Sequence, residues 1–244
     1  MYSFLKSIIK NVLPSKLLRQ LKPIFRNGVY WFYKGNQFHC LLCNANLKSF
    51  VILPNKDLLC PRCGSLPRTR RLIQLLTEKN LLHGSILHCS PPLSIYKNLK
   101  ANSSIQYISS DFENEFIADK KYDLTNITAD DHTVDLVIAY HVLEHIEEDH
   151  QAMKELYRIL KKEGKVIIQT PFKEGEIFED FTIQSEQDRL KHFGQKDHVR
   201  IYAVDGLTER LTKVGFKVEV LQFSEVEGNA NGFKTQETVL LARK

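Results

Sequence analysis

The chain has 244 residues, 43% hydrophobic and 26% charged, with 11 glycines, 8 prolines and no internal repeat, a composition that supports a packed core and excludes disordered, collagen-like and low-complexity classes. No uncharged run reaches the roughly 18 residues of a membrane-spanning helix, and Lys6, Lys10 and Lys16 break the first apolar stretch, unlike a signal peptide, so the expected location is cytoplasmic. The formal net charge of +5 is uneven: nine Lys and Arg and no acidic residue precede Asp57, while the remainder carries 25 basic against 29 acidic residues, which sets a front end suited to a polyanion before an ordinary globular body.

Phe4, Leu5, Ile8, Ile9, Val12 and Leu13 recur at helical spacing, Pro14 interrupts, and Leu17, Leu18, Leu21, Ile24 and Phe25 resume the pattern. Two short amphipathic helices are predicted over residues 1–27, within a basic segment 1–35. Their Lys and Arg suit either an anionic membrane face, as a peripheral contact at its inner side, or docking on the protein's own body. Tyr30, Trp31, Phe32, Tyr33 and Phe38 follow, able to stack on bases or to anchor at a membrane interface.

Residues 36–66 carry two CxxC pairs, Cys40 with Cys43 and Cys60 with Cys63, separated by 16 residues. Each pair can sit on a tight turn that aims two thiolates at one point, and two such turns complete the tetrahedral shell of a structural zinc ion, the spacing of a zinc ribbon. In CPRCG (60–64) Pro61 fixes the turn and Gly64 stands where the chain must bend away. His39 is expected to be a neighbour and not a ligand. The next stretch, PRTRRLIQLL (67–76), starts a helix with Leu72, Ile73, Leu75 and Leu76 inward and with Arg68, Arg70 and Arg71 in its first turns, where they could meet a phosphate.

From residue 85 the chain alternates β-rich runs with helices, the pattern of a mostly parallel sheet covered by helices. The runs are 85–89, 104–109, 134–139, 166–170, 217–223 and 237–242, with helices predicted over 92–99, 149–160 and 206–214, the last stopping at Gly215. The final two runs are joined by a polar loop and should pair antiparallel at the sheet edge. Ligands of such sheets bind past the carboxyl ends of the strands. There the sequence places Cys89 and Ser90, then Asp111, suited to a ribose, then Asp123, then Tyr140, His141, Glu144 and His145.

HVLEHI (141–146), after VDLVIAY (134–140) and before ILKKEGKVIIQTP (159–171), resembles class I S-adenosylmethionine-dependent methyltransferases from about residue 84 to the end. In particular it resembles bacterial methyltransferase-domain proteins with a cysteine knuckle upstream, CPRCGSLPRTR (60–70) and FGQKDHVRIYAVDGLTERLTKVGF (193–216) being further matching stretches. The resemblance implies a Rossmann-like, mostly parallel seven-stranded sheet with an antiparallel edge strand over residues 67–244, behind the small zinc ribbon. It also implies S-adenosylmethionine as cofactor, with Asp111 on the ribose, Asp123 and Leu124 at the adenine, Tyr140 and His141 at the methionine side, and Cys89 and Ser90 in the first loop. That loop, HCSPPL (88–93), lacks the glycines of the family pattern.

A hydroxyl or ammonium acceptor would need a proton acceptor, for which His145 and His198 are the candidates. Segment 172–200 is too long for a plain connection and is expected to cover the pocket as a substrate-side insertion. In it Asp197 could orient His198, while Arg200 could hold an acidic substrate group or pair with Asp197. The expected reaction is methyl transfer to a small molecule or glycan precursor; RNA held by the ribbon and the basic helix, or a non-catalytic interaction role, are the alternatives.

Overall fold

The structure, a computed structural model, describes residues 25–224 and 227–244. The helices expected over 1–27 fall almost wholly outside these residues, although residues 25–31 are helical. No helix among the described residues is long and apolar enough to cross a membrane. The chain divides into two compact units: the described residues up to Leu75 together with 227–234, and Leu76–Ser224 together with Thr235–Lys244.

The first unit is built from short antiparallel pairs. Strand β1 (Lys34–Cys40) pairs with β2 (Ala45–Leu47), and β3 (Val51–Ile52) with β4 (Leu58–Leu59). A core this small rests on few side chains, chiefly Leu42, Leu47, Phe50 and Leu59. Helix α1 (Pro67–Glu78) begins here; Leu72, Ile73, Leu75 and Leu76 are buried as predicted. Arg70 and Arg71 are buried too, at 0% and 3% exposure. The Arg70 guanidinium donates to the carbonyls of Leu58, Ser65, Asn231 and Gly232 and lies 4.2 Å over the Phe50 ring. Arg71 donates to Gln74 and lies 3.8 Å over Phe233. The expectation that these arginines meet a phosphate is therefore corrected for both. Unpaired backbone carbonyls in a small irregular module need donors, and Arg70 supplies them.

The second unit follows the alternation read from the sequence: β5 (Gly84–Cys89), α2 (Leu93–Lys100), β6 (Ile105–Ser110), β7 (Val134–Tyr140), α3 (Asp149–Ile159), β8 (Leu160–Gln169), β9 (Phe178–Glu179), α4 (Glu186–Phe193), β10 (Arg200–Ile201), α5 (Val204–Val214), β11 (Lys217–Phe223) and β12 (Glu237–Arg243). The sheet order is β11-β12-β8-β7-β5-β6. The β6-β5, β5-β7 and β7-β8 pairs are parallel, and β8-β12 and β12-β11 antiparallel. The six strands match the six runs in the sequence, and the seventh strand implied by the resemblance is absent among the described residues. A single parallel bridge, Ser110 to Lys120, stands beside β6; residues 112–121 are mostly exposed, Phe112, Phe116 and Ile117 among them, and add no further ladder.

Burial explains the order. β5, β7 and β12 are buried on both faces, as interior strands must be, whereas β11 is largely exposed and takes the edge. The last strand thus lies inside the sheet, between β8 and β11. Helices α3 and α5 pack on each other over a core that includes Met153, Leu156, Leu207 and Leu211. Helix α5 stops at Gly215, whose φ of 117° favours glycine and where an added Cβ would come within 3.2 Å of the Tyr157 ring.

Candidate active site and four-cysteine cluster

After β5 the chain goes to β6 on one side and then crosses to β7 on the other. The order therefore reverses between β5 and β7, the place where such sheets open a crevice beyond their carboxyl ends. Two non-glycine residues with positive φ stand at those ends: Ser90, at 48°, after β5, and His141, at 55°, after β7. Ser90 occupies the glycine-free loop and adopts the conformation a glycine would have. Its amide donates to Ser110 O at 2.7 Å, and its hydroxyl donates to Asp111 Oδ1 at 2.8 Å. Asp111, 5% exposed, accepts the Phe116 amide on its other oxygen at 3.0 Å. A carboxylate has about four acceptor positions, so these two bonds fix Asp111 and leave capacity for a hydroxylated ligand.

Cys89 is buried, and burial together with the nearby Asp111 charge pushes its thiol up to about 12, so it stays a neutral lining group. Asp123 is exposed and accepts the amide and hydroxyl of Thr125 at 2.8 and 2.7 Å. The Leu124 side chain is buried in the core. Tyr140 ends β7 at 8% exposure, and the His141 amide donates to Gln169 O at 2.7 Å, tying the turn to β8. A cavity of about 470 Å³ along β5 and β6, lined by residues such as Leu87, Ile108 and His132, contains none of these side chains.

The one-turn 3-10 helix Leu143–His145 follows. It places Glu144 inward, at 1% exposure, and His145 half outward. The Val199 amide donates to Glu144 O at 3.0 Å, which brings segment 197–200 alongside. The rings of His145 and His198 meet edge to face at 4.7 Å, and Asp197 Oδ2 lies 3.4 Å from His145 Nδ1. Asp197 thus faces His145 and not His198, correcting the expected pairing. Burial lowers the pKa of His198 and so favours its neutral ring. Burial works to raise the Glu144 carboxyl, but His141, whose Nδ1 lies 3.4 Å from Oε1, outweighs it and leaves the group below its ordinary value.

Arg200 is 1% exposed, and its guanidinium is engaged within the protein instead of pairing with Asp197. It donates to the carbonyls of Leu143, Ile146 and Glu147 at the end of the 3-10 turn and to Glu179 at 2.9 Å. Arg210 bonds Asp149 and Glu179, each at 2.6 Å, and Tyr202 OH donates to Asp149 at 2.6 Å. This network anchors 172–202 to α3 and α5. Position along the chain gives Glu144 no role and does not bring Asp197 to His145. The spacing HVLEH held a signal for Glu144, since it lies three residues from His141 and next to His145.

In the first unit the four cysteines converge. The Sγ atoms of Cys40 and Cys63 are 3.7 Å apart and those of Cys43 and Cys60 3.8 Å, and all four lie within 4.8 Å of one another. A disulfide would need about 2.05 Å, whereas a tetrahedral zinc ion with Zn–S bonds of about 2.3 Å spaces its sulfurs at about 3.8 Å. The two knuckles share one geometry. The Asn44 amide donates to Cys40 O and the Gly64 amide to Cys60 O, with Asn44 and Gly64 both at positive φ. The hydrogen bond with Cys43 leads in lowering the Cys40 thiol, and the same contact leads in raising Cys43. Four thiolates at this spacing would repel one another, and a bound cation would offset that repulsion. His39 is engaged with Asn46 at 2.9 Å and stands apart from the cluster.

A family described as a methyltransferase domain matches residues 68–221. Solved structures share the fold. An S-adenosylmethionine-dependent methyltransferase from Archaeoglobus fulgidus superposes with a TM-score of 0.53 at 16% identity, covering 74% of this chain and 95% of that one. One from Thermotoga maritima gives 0.50 at 19% identity, covering 71% and 88%. A phosphoethanolamine N-methyltransferase from Haemonchus contortus, in complex with phosphomonomethylethanolamine and S-adenosylhomocysteine, gives 0.51 at 15% identity, covering 72% and 53%. No curated protein matches the sequence.

Proposed function

The chain belongs to the methyltransferase-domain family, and from that premise we propose that it transfers a methyl group from S-adenosylmethionine to a small molecule or glycan precursor. The observation that carries this reading is the Ser90–Asp111 pair at the carboxyl ends of β5 and β6. A serine in a left-handed turn lets the backbone approach a ligand as glycine would, and it holds a buried carboxylate at the height of a ribose. Cys89, Tyr140 and His141 would line the rest of the cofactor crevice, with Asp123 and the Leu124 backbone at its adenine end.

Bound there, the cofactor would supply an electrophilic sulfonium methyl for in-line displacement. The chain's own part is to align the acceptor and exclude water, which suits segment 172–202. His145 and His198 form the acceptor side. With Asp197 orienting Nδ1 of His145, the other ring nitrogen is set to take the acceptor's proton, and buried His198 packs against that ring. In the first unit Cys40, Cys43, Cys60 and Cys63 would hold a structural zinc ion, a closed shell with no position for substrate. An RNA substrate finds less support, because Arg70 and Arg71 are consumed inside the first unit.

Calorimetry with S-adenosylmethionine tests the reading. The wild-type chain should bind, and Asp111→Ala should weaken binding by about 1.5–3 kcal/mol, the worth of a hydrogen bond to a charged group. Failure of the wild type to bind would support a non-catalytic role instead.

A further inference from the structure

Outside the cysteine cluster, one other group of metal-ligating side chains converges among the described residues. It comprises Glu144, His145 and His198, each offering a ligand atom within 4.8 Å of the others. Glu144 is 99% buried, and neither carboxylate oxygen receives a hydrogen bond there; the His141 ring meets Oε1 only as a 3.4 Å ion contact. His198 is 97% buried, and its Nε2 likewise has no hydrogen-bond partner. Buried polar atoms without a hydrogen-bond partner, gathered in one cluster, are costly unless something pairs with them.

We propose that Glu144, His145 and His198 form a second metal site, which binds a first-row transition-metal dication of the zinc class. One carboxylate oxygen and two imidazole nitrogens are the ligand set such ions favour, and three protein ligands leave a further position open. A magnesium or calcium ion would need more oxygen donors than this set supplies. Asp197 completes the arrangement. At 3.4 Å from His145 Nδ1 it fixes the ring so that Nε2 is the ligand, as outer carboxylates do for metal-bound histidines. Metal bonds of about 2.0–2.2 Å would draw together three groups that already lie within 4.8 Å of one another. The half-exposed side of His145 is where the open position would face, suited to an oxygen donor of the acceptor. The inference deepens the function proposed above, since its catalytic use rests on that reading: with the ion bound the two histidines serve as ligands, and the proton-acceptor role given to His145 above is that of the metal-free chain.

The test titrates the purified full-length chain with Co²⁺ or Zn²⁺, alongside His145→Ala and the conservative Glu144→Gln. S-Adenosylmethionine binding is measured on the same samples. The wild type should take up one more equivalent than His145→Ala. With Co²⁺, that equivalent should show weak visible bands without thiolate charge-transfer absorption. Glu144→Gln, which keeps the shape and removes the charge, should weaken it at least about tenfold, and Mg²⁺ should not compete. Equal stoichiometry and affinity in all three chains would overturn the site. Cofactor binding without the extra equivalent would overturn the site and keep the methyltransferase reading, whereas the extra equivalent without cofactor binding would do the reverse.

Discussion

Ser90 and His141 hold left-handed backbone at the ends of two adjacent parallel strands, a conformation that costs an L-residue about 1–2 kcal/mol. Strain of this kind persists where the surroundings over-determine it, and functional sites are where it collects. At Ser90 the amide bond to Ser110 and the hydroxyl bond to Asp111 hold the turn. Ser90→Gly relieves the backbone and loses the hydroxyl bond, so its stability should lie within about 1 kcal/mol of wild type. Ser90→Val adds a branched side chain at positive φ and should cost about 2–4 kcal/mol. Urea denaturation of both variants measures this, and a Val variant as stable as wild type would show that the turn is not held as described. The lack of glycine in HCSPPL was legible in the sequence. That serine adopts the glycine conformation was not, because it depends on a partner 21 residues away.

Segment 172–202 is legible as an element with a role, since its length exceeds a plain connection and its charges are dense. What those charges do was not legible. Arg200 and Arg210 converge on Glu179 and Asp149 across more than one helix, pairings that no local spacing reveals. Burial works to raise the Glu179 carboxyl, but hydrogen bonds from Arg210 and Arg200 outweigh it and hold it below the ordinary value. A depressed carboxylate contributes stability that is present above its unfolded pKa, near 4.3, and is lost as pH falls through the depressed value. Glu179→Gln should therefore lower stability at pH 7 by about 1–3 kcal/mol, discounted because the group is partly exposed. The gap between variant and wild type should close below about pH 4. Thermal unfolding across pH 3–7 reads both, and a gap independent of pH would mean that the ion pairs are not its source. Strand β8 shows the same limit on a smaller scale. The sequence places its start at Val166, yet pairing with β7 carries the strand back to Leu160 through a register shift.

At the scale of the whole molecule, the first unit and the second draw stability from different sources. The second has a continuous apolar core around α3, α5 and the sheet. The first has few buried apolar side chains, one buried arginine holding four carbonyls and four converging thiols, so a bound ion would supply much of its folding energy. Removing metal with a strong chelator should speed hydrogen exchange at the hydrogen-bonded amides of the two cysteine turns, Asn44 and Gly64. Cys60→Ser with Cys63→Ser should lose one equivalent of zinc by elemental analysis. Metal content unchanged in that double variant would refute the cluster as a zinc site.

The sequence by itself determined the α/β alternation, the six strands and the cysteine geometry. These are written in local features: runs of β-branched residues, helical periodicity, and paired CxxC turns whose chemistry admits few arrangements. It also determined which residues reach the carboxyl ends of the parallel strands, because strand position follows from order along the chain. The tertiary structure decided what each charged group does. Arg70, Arg71 and Arg200 read as contacts for a phosphate or an acidic substrate group until their burial is known, and Glu144 reads as one residue of a motif until His198, 54 positions later, is brought beside it. Electrostatic partners are set by distance in space, which a linear sequence does not carry.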